Sequence, residues 1–170
     1  MKKIIRIGIS ACLTGRKVRY DGGHKRDSFL TDVLGKYVEY VQVCPEVEFG
    51  LGIPRESIRL EGEPENPRLV GIHTQKDISS DMREWAEKRV RELEKESLSG
   101  FIFKKKSPSC GVRQVKVHTK QRGVVKTGMG IFARVFSEHF PLMPTEEEDR
   151  LSDPEYRKHF VKSILHFNIQ

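Results

Sequence analysis

The sequence has no apolar run approaching the ~18 residues needed to span a bilayer, so hydropathy gives no transmembrane helix. It has only three cysteines in 170 residues, at positions 12, 44 and 110. Three thiols cannot all pair within one chain, and their wide spacing excludes the dense disulfide framework of small secreted domains. No two are close enough for a Cys-x-x-Cys pair, so the close-pair pattern of structural zinc is also missing. The segment MKKIIRIGIS carries two lysines, but Arg6 breaks its apolar stretch and no signal cleavage pattern follows. The expected location is therefore cytoplasmic, with no membrane partner. No repeat or low-complexity linker divides the chain, and its length suits one domain burying roughly two thirds of its unfolded surface. The net charge is +7, but Lys and Arg are interspersed with Asp and Glu and form no extended basic block. Nucleic acid is not an expected partner on charge alone.

The residues that are present alternate between strand and helix patterns. Residues 3–11 are rich in isoleucine and read as a first strand, and 38–43 as a second. Between them, 27–37 reads as a short helix capped by Asp27. The runs 58–60 and 69–73, separated by Gly62, Pro64, Asn66 and Pro67, predict a small β-hairpin excursion. The clearest helix is 79–98, where Met82, Trp85, Ala86, Val90 and Leu93 make one apolar stripe and Ser79 or Ser80 can cap the start. Gly100 then opens a third strand to Lys104, and 114–119 alternates as another. Ile131–His139 reads as a helix ended by Pro141, residues 145–148 as a short acidic helical turn, and Asp153-Pro154 as the start of a last helix. Strand–helix–strand order predicts an α/β single domain, with a mostly parallel, Rossmann-like central sheet flanked by helices.

That architecture gives the cysteines meaning. Cys12 follows IGISA, Cys44 follows VEYVQV, and Cys110 follows the apolar triplet Phe101-Ile102-Phe103 after KKKSPS. All three fall past the carboxyl ends of predicted parallel strands, where open α/β sheets bind ligands. If those strands are neighbours, the three thiols share one crevice. Three readings stand at this level. They are buried inert thiols, since free cysteine is commonly buried; a Cys₃His zinc site completed by His24 or His73; or three ligands of a [4Fe-4S] cluster with one open iron. Beside them, Glu46 is a candidate general acid/base, with Glu48 as a competitor. Ser107 and Ser109 could position a substrate or simply make turn bonds. Asp21, in a tight Asp-Gly turn, could line the crevice. Gly128-Met129-Gly130, at a helix start, is a candidate anion cradle, though helix–loop packing explains such glycines more often.

Five blocks in order, SACLTGRKVRYDGG, CPEVEFGLGIPRESIRL, KKKSPSCG, GMGIFA and PTEEEDRLSDPEYRKHF, resemble the TudS-like thiouracil desulfurase (desulfidase) family. The match runs from Ile7 to about Phe160. It implies an α/β domain over 1–150 holding a [4Fe-4S] cluster on Cys12, Cys44 and Cys110, with the fourth iron open to the sulfur of a thiolated uracil. It implies non-redox replacement of C=S by C=O with release of hydrosulfide, on a thiolated base, nucleoside or nucleotide as small-molecule partner. Glu46 matches the family's acid, and Ser107 is similar to its second catalytic group. Residues 151–170 resemble the junction that leads to a helical domain in longer relatives. They are expected to form a C-terminal helix that is a remnant of it. The alternatives are a metal-binding sensor or regulatory module, and desulfuration of 4-thiouridine in tRNA with Lys104, Lys105 and Lys106 as phosphate anchors.

Overall fold

The computed structural model describes residues 4–169; Lys3, expected in the first strand, and Gln170, expected in the last helix, lie outside them. In chain order the strands are β1 (Arg6–Ser10), β2 (Glu39–Val43), β3 (Ile58–Glu63), β4 (Asn66–Gly71), β5 (Leu98–Phe103), β6 (Val115–Thr119), β7 (Gly123–Gly128) and β8 (Thr145–Glu147). The helices are α1 (Pro45–Phe49), α2 (Ser79–Glu94), α3 (Ile131–His139) and α4 (Pro154–Ile169). The first sheet runs β2-β1-β5-β8 with every pair parallel. The second runs β4-β3-β6-β7 and is mixed, with β3 and β6 parallel between two antiparallel hairpins.

The parallel sheet is covered on both faces, which is why β5 is buried along its whole length. Alternation sorts its side chains. Phe101 and Phe103 point into a cluster with Val90, Leu93, Phe132 and Phe136 from α2 and α3. Ile102 points the other way, into a cluster with Ile7, Ile9, Leu30, Phe160 and Ile164, which α4 covers. The expected stripe on α2 is real: Met82, Ala86, Val90 and Leu93 are all buried. Its Met82 end reaches the second sheet, where it packs with Leu60, Leu69, Val117 and Ile131. Among the described residues no helix is long and apolar enough to cross a membrane.

Several local expectations are corrected. Residues 145–147 are not a helical turn but the edge strand β8, in register with β5 from Phe101↔Thr145 to Phe103↔Glu147. The acidic run suggested a solvated turn. Instead Glu146, Glu147 and Glu148 are buried and each is paired with a cation or backbone N–H of the 104–113 loop. Segment 27–37 is not an α-helix. It forms a π-turn (29–33) followed by a 3₁₀ turn (34–36), although Asp27 does accept the Leu30 N–H as expected. Helix α2 stops at Glu94 rather than at residue 98, and β5 already begins at Leu98, before Gly100. Ser79 does not cap α2 but bonds β4 through the Leu69 N–H. The hairpin β3–β4 is half of a full sheet, and β7 was not anticipated.

Gly8 shows how tightly β1 and β5 are matched. A Cβ built at Gly8 would lie 2.1 Å from Cδ2 of Phe101, whose ring stacks on Phe103 at 4.3 Å between centroids. Because Phe101 also touches Phe132 and Phe136, the ring has no room to retreat. Gly8→Ala should therefore destabilise the fold by roughly 1–3 kcal/mol, the usual cost of overpacking. Chemical denaturation of the metal-free protein checks this, and an unchanged midpoint would contradict it.

Candidate active site

The order β2-β1-β5 makes the three cysteine-bearing strands neighbours, and Cys12, Cys44 and Cys110 all line one cavity of about 310 Å³ at their carboxyl ends. Each thiol reaches it by a different local device. Cys12 sits in a 3₁₀ turn (Ala11–Thr14) directly after β1, and its carbonyl accepts the Lys25 N–H, folding the 15–27 loop over the site. Cys44 is the N-cap of α1, with Pro45 in the first helical position. Its backbone N–H donates to Glu48 Oε2 at 2.8 Å, and Glu48 in turn accepts from Arg89 of α2. Glu48 is therefore a structural tie and not a rival of Glu46.

Cys110 lies seven residues past β5, in a loop that needs its own support. The start of α3 provides it. The Ile131 N–H donates to Pro108 O at 3.1 Å, the Ala133 N–H to Ser109 O at 3.1 Å, and the Gly130 N–H to Gly111 O at 2.7 Å. Gly130 is required for this contact, since a Cβ there would stand 2.4 Å from the Ser109 carbonyl carbon and 2.8 Å from the Cys110 nitrogen. The N–H groups of Gly130, Ile131 and Ala133 at the helix start are thus taken by the cysteine loop. Gly128 and Gly130 do not line the cavity. Their role is packing rather than the expected anion cradle. Asp21 does not line it either; its carboxylate accepts the Gly23 N–H and closes an exposed turn. His24 and His73 are also absent from the wall; His24 accepts the Arg26 N–H, and His73 borders a separate cavity.

Glu46, Ser107 and Ser109 do come together. Ser109 Oγ donates to Glu46 Oε1 at 2.9 Å. Ser107 Oγ lies 3.1 Å from Ser109 Oγ and accepts the Cys110 N–H at 3.0 Å and, more weakly, the Ser109 N–H at 3.3 Å. The single hydroxyl hydrogen of Ser109 is committed to the carboxylate, so the Ser107 hydroxyl must be the donor between the two serines. The result is a directed chain, Ser107 to Ser109 to Glu46, with Ser109 buried and Ser107 nearer the opening. The other carboxylate oxygen, Glu46 Oε2, accepts from Arg55 Nε at 2.9 Å and Nη2 at 2.7 Å.

The thiols are held in a largely desolvated setting, with Cys12 and Cys110 buried and Cys44 half-buried. Burial pushes Cys12 up to about 11, opposed by the nearby charges of Lys104 and Arg19. Burial also raises Cys44, and raises Cys110 furthest. Cys12 would feel the charge of an ionised Cys44, and Cys110 that of either other thiol, which reflects their proximity. Burial thus favours the neutral thiol at all three positions. Among the described residues no three or more His, Cys, Asp or Glu side chains close on a single ion.

Sequence patterns missed several members of the wall. Arg55 lies within the CPEVEFGLGIPRESIRL block, but as one arginine in a loop after α1 nothing in the local pattern singled it out. Ser10 looked like an ordinary strand residue, yet its Oγ accepts the Lys104 N–H at 2.9 Å and joins the end of β1 to the cysteine loop. Arg19 and Lys25 line the opening as well.

The family model described as 2-thiouracil desulfurase matches residues 7–148. The uncharacterized protein YbbK of Bacillus subtilis (strain 168) is 27% identical over 135 residues, covering 76% of this chain and 88% of YbbK. A solved structure described as the [4Fe-4S]-dependent thiouracil desulfidase TudS is 29% identical with a TM-score of 0.72, covering 93% of this chain and 99% of that one. The family match takes in all four strands of the parallel sheet but for Arg6, and the segments that carry Cys12, Cys44, Glu46, Ser107, Ser109 and Cys110, and on that basis the chain belongs to the 2-thiouracil desulfurase family.

Proposed function

We propose that the protein converts a thiolated uracil and water into uracil and hydrosulfide, on a [4Fe-4S] cluster held by Cys12, Cys44 and Cys110. One observation carries this: three thiols from three adjacent parallel strands face one cavity, beside a hydroxyl chain that ends on a carboxylate. The donor set fits the cluster, because it is all thiol and no histidine stands in the wall. Likeness to the [4Fe-4S]-dependent TudS supports the same choice. When bound, the cluster supplies a Lewis-acidic iron with a position free for the substrate's sulfur.

The chain's own residues handle water and protons. Carbon gains an oxygen from water and loses sulfur, so protons must move from the incoming water towards the departing sulfur, with no change in redox state. Glu46 accepts a proton at Oε1 through Ser109 and returns it by the same route. Ser107, held by the Cys110 N–H, presents the outer hydroxyl of that chain to the cavity. A sensor module would have no use for such a chain beside its metal.

The cations favour a small phosphate-bearing substrate over a polynucleotide. Lys104 pairs with Glu148 at 2.7 Å, Lys105 with Asp149 at 3.5 Å, and Arg113 with Glu146 and Glu147 at 2.8 and 3.2 Å. They do not form a rail for tRNA phosphates. Arg19, Lys25 and Lys106 line the cavity with no carboxylate in ion-pair distance among the described residues.

Glu46→Gln should keep cluster absorbance, since Glu46 is not a ligand, and lower kcat for thiouracil by roughly 10², the usual worth of a placed acid/base. Full activity with an intact cluster would reject the role. Loading the cluster must expel three thiol protons, and burial holds the folded thiols above their ordinary values. Anaerobic reconstitution at fixed iron and sulfide should therefore become more complete from about pH 7 to about pH 9. A yield independent of pH across that span would contradict ligation by these thiols. Finally, kcat/KM for 4-thiouridine monophosphate should exceed that for 2-thiouracil and 4-thiouracil, with the advantage shrinking as salt rises. A salt-independent preference for the bare base would assign Arg19, Lys25 and Lys106 to solvent alone.

A further inference from the structure

We infer that Arg55 is a positioning residue for the reaction, holding Glu46 in the one orientation that gives Oε1 to the serine chain. This rests on Glu46 as the proton carrier proposed above. Arg55 is almost fully buried, its side chain 6% exposed, and Glu46 is 17% exposed beside it. Two of its nitrogens, Nε and Nη2, donate to the same oxygen, Glu46 Oε2. The guanidinium also donates to Val18 O at 2.8 Å and Gly52 O at 2.9 Å, while the Arg55 backbone N–H donates to Tyr20 O at 3.0 Å.

These contacts divide the labour of the carboxylate. Oε2 is fixed from behind by Arg55, and Oε1 is left to accept from Ser109. Without Arg55 the two oxygens become equivalent, and rotation about the last side-chain bond can turn either one away from Ser109. The fork that does this is planar and rigid, and serves three acceptors at once on three separate segments. A lysine ammonium has the charge but not that geometry. Because Val18, Tyr20 and Gly52 belong to loops that wall the crevice, the same side chain fixes the wall and the orientation of its carboxylate together. Placement errors of this kind fall on turnover more than on substrate binding.

The test uses anaerobically reconstituted protein carrying Arg55→Gln, Arg55→Lys or Arg55→Ala, each alone and in a Glu46→Gln background. Arg55→Gln keeps most of the volume, and Arg55→Lys keeps the charge, so the set does not depend on one variant folding. The cluster absorbance should be retained. In Arg55→Gln, kcat for thiouracil should fall by about tenfold to a hundredfold with KM within about twofold, and Arg55→Lys should fall between it and the native protein. Free guanidinium should restore part of the activity of Arg55→Ala but none of that lost in Glu46→Gln. In the Glu46→Gln background, Arg55→Gln should cost less than about twofold, because a residue that acts through another loses its effect once that partner is gone. Thermal melts of the metal-free protein should show the same pair as non-additive.

Native kcat in Arg55→Gln beside an inactive Glu46→Gln would overturn the role of Arg55 and leave that of Glu46 standing. So would a full, additive loss in the Glu46→Gln background. An active Glu46→Gln would instead remove the proton carrier, and the role of Arg55 with it.

Discussion

The first turn of α3 gives its backbone N–H groups to the carbonyls of the Ser-Pro-Ser-Cys loop, and the rest of the site depends on that exchange. Three of the groups that matter, Ser107, Ser109 and Cys110, lie on a segment with no strand pairing of its own. The loop replaces solvent as the partner of a helix start, so helix and loop are each satisfied by the other. Gly130 makes the approach close enough, and Gly111 lets the loop close on itself, since a Cβ there would meet Ser107 O at 2.8 Å. Once the loop is fixed, the Cys110 N–H holds Ser107, Ser107 donates to Ser109, and Ser109 reaches across to Glu46 on α1. The site is thus a bridge between the loops following β2 and β5.

The ends of the same loop are held by buried charge. Glu148 accepts from Lys104 Nζ and the Lys105 N–H at its start, and Glu147 accepts from the Val112 N–H and Arg113 at its finish. Burial raises Glu147, opposed by the Val112 N–H and the charge of Arg113. Such carboxylates are tolerated inside only because each has a donor. The short strand β8 is therefore less a structural edge than the element that brings these acids to the loop. It also ties up Lys104, paired with Glu148, and leaves Lys105 beside Asp149.

The parts of the fold written in local pattern could be read directly. The isoleucines of β1, the apolar stripe of α2 and the Asp-Pro start of α4 each follow from nearest neighbours along the chain. The shared position of the cysteines, each past the end of an apolar strand, pointed to one crevice before any distance was known. What could not be read were features set by partners far away in sequence. Glu146, Glu147 and Glu148 look like a solvated run until Lys104 and Arg113 are brought against them. Gly128 and Gly130 look like an anion site until the cysteine loop fills the helix start. Arg55 has no local signature, because its meaning comes from Glu46 on one side and Val18 and Gly52 on the other. Family resemblance carried the chemistry further than periodicity could, since no spacing distinguishes a cluster from three inert thiols.

The central claim is that three thiols on three neighbouring strands together hold one iron–sulfur cluster. Its most direct measurement is the iron and acid-labile sulfide content of the anaerobically reconstituted protein, read beside its visible absorption, for the native chain and for Cys12→Ser, Cys44→Ser and Cys110→Ser. The native protein should bind about four iron and four sulfide per chain with a broad charge-transfer band, and each substitution alone should abolish or sharply diminish both. A native protein that stays colourless and takes one tight zinc instead, or a single substitution that leaves the full cluster in place, would contradict the claim.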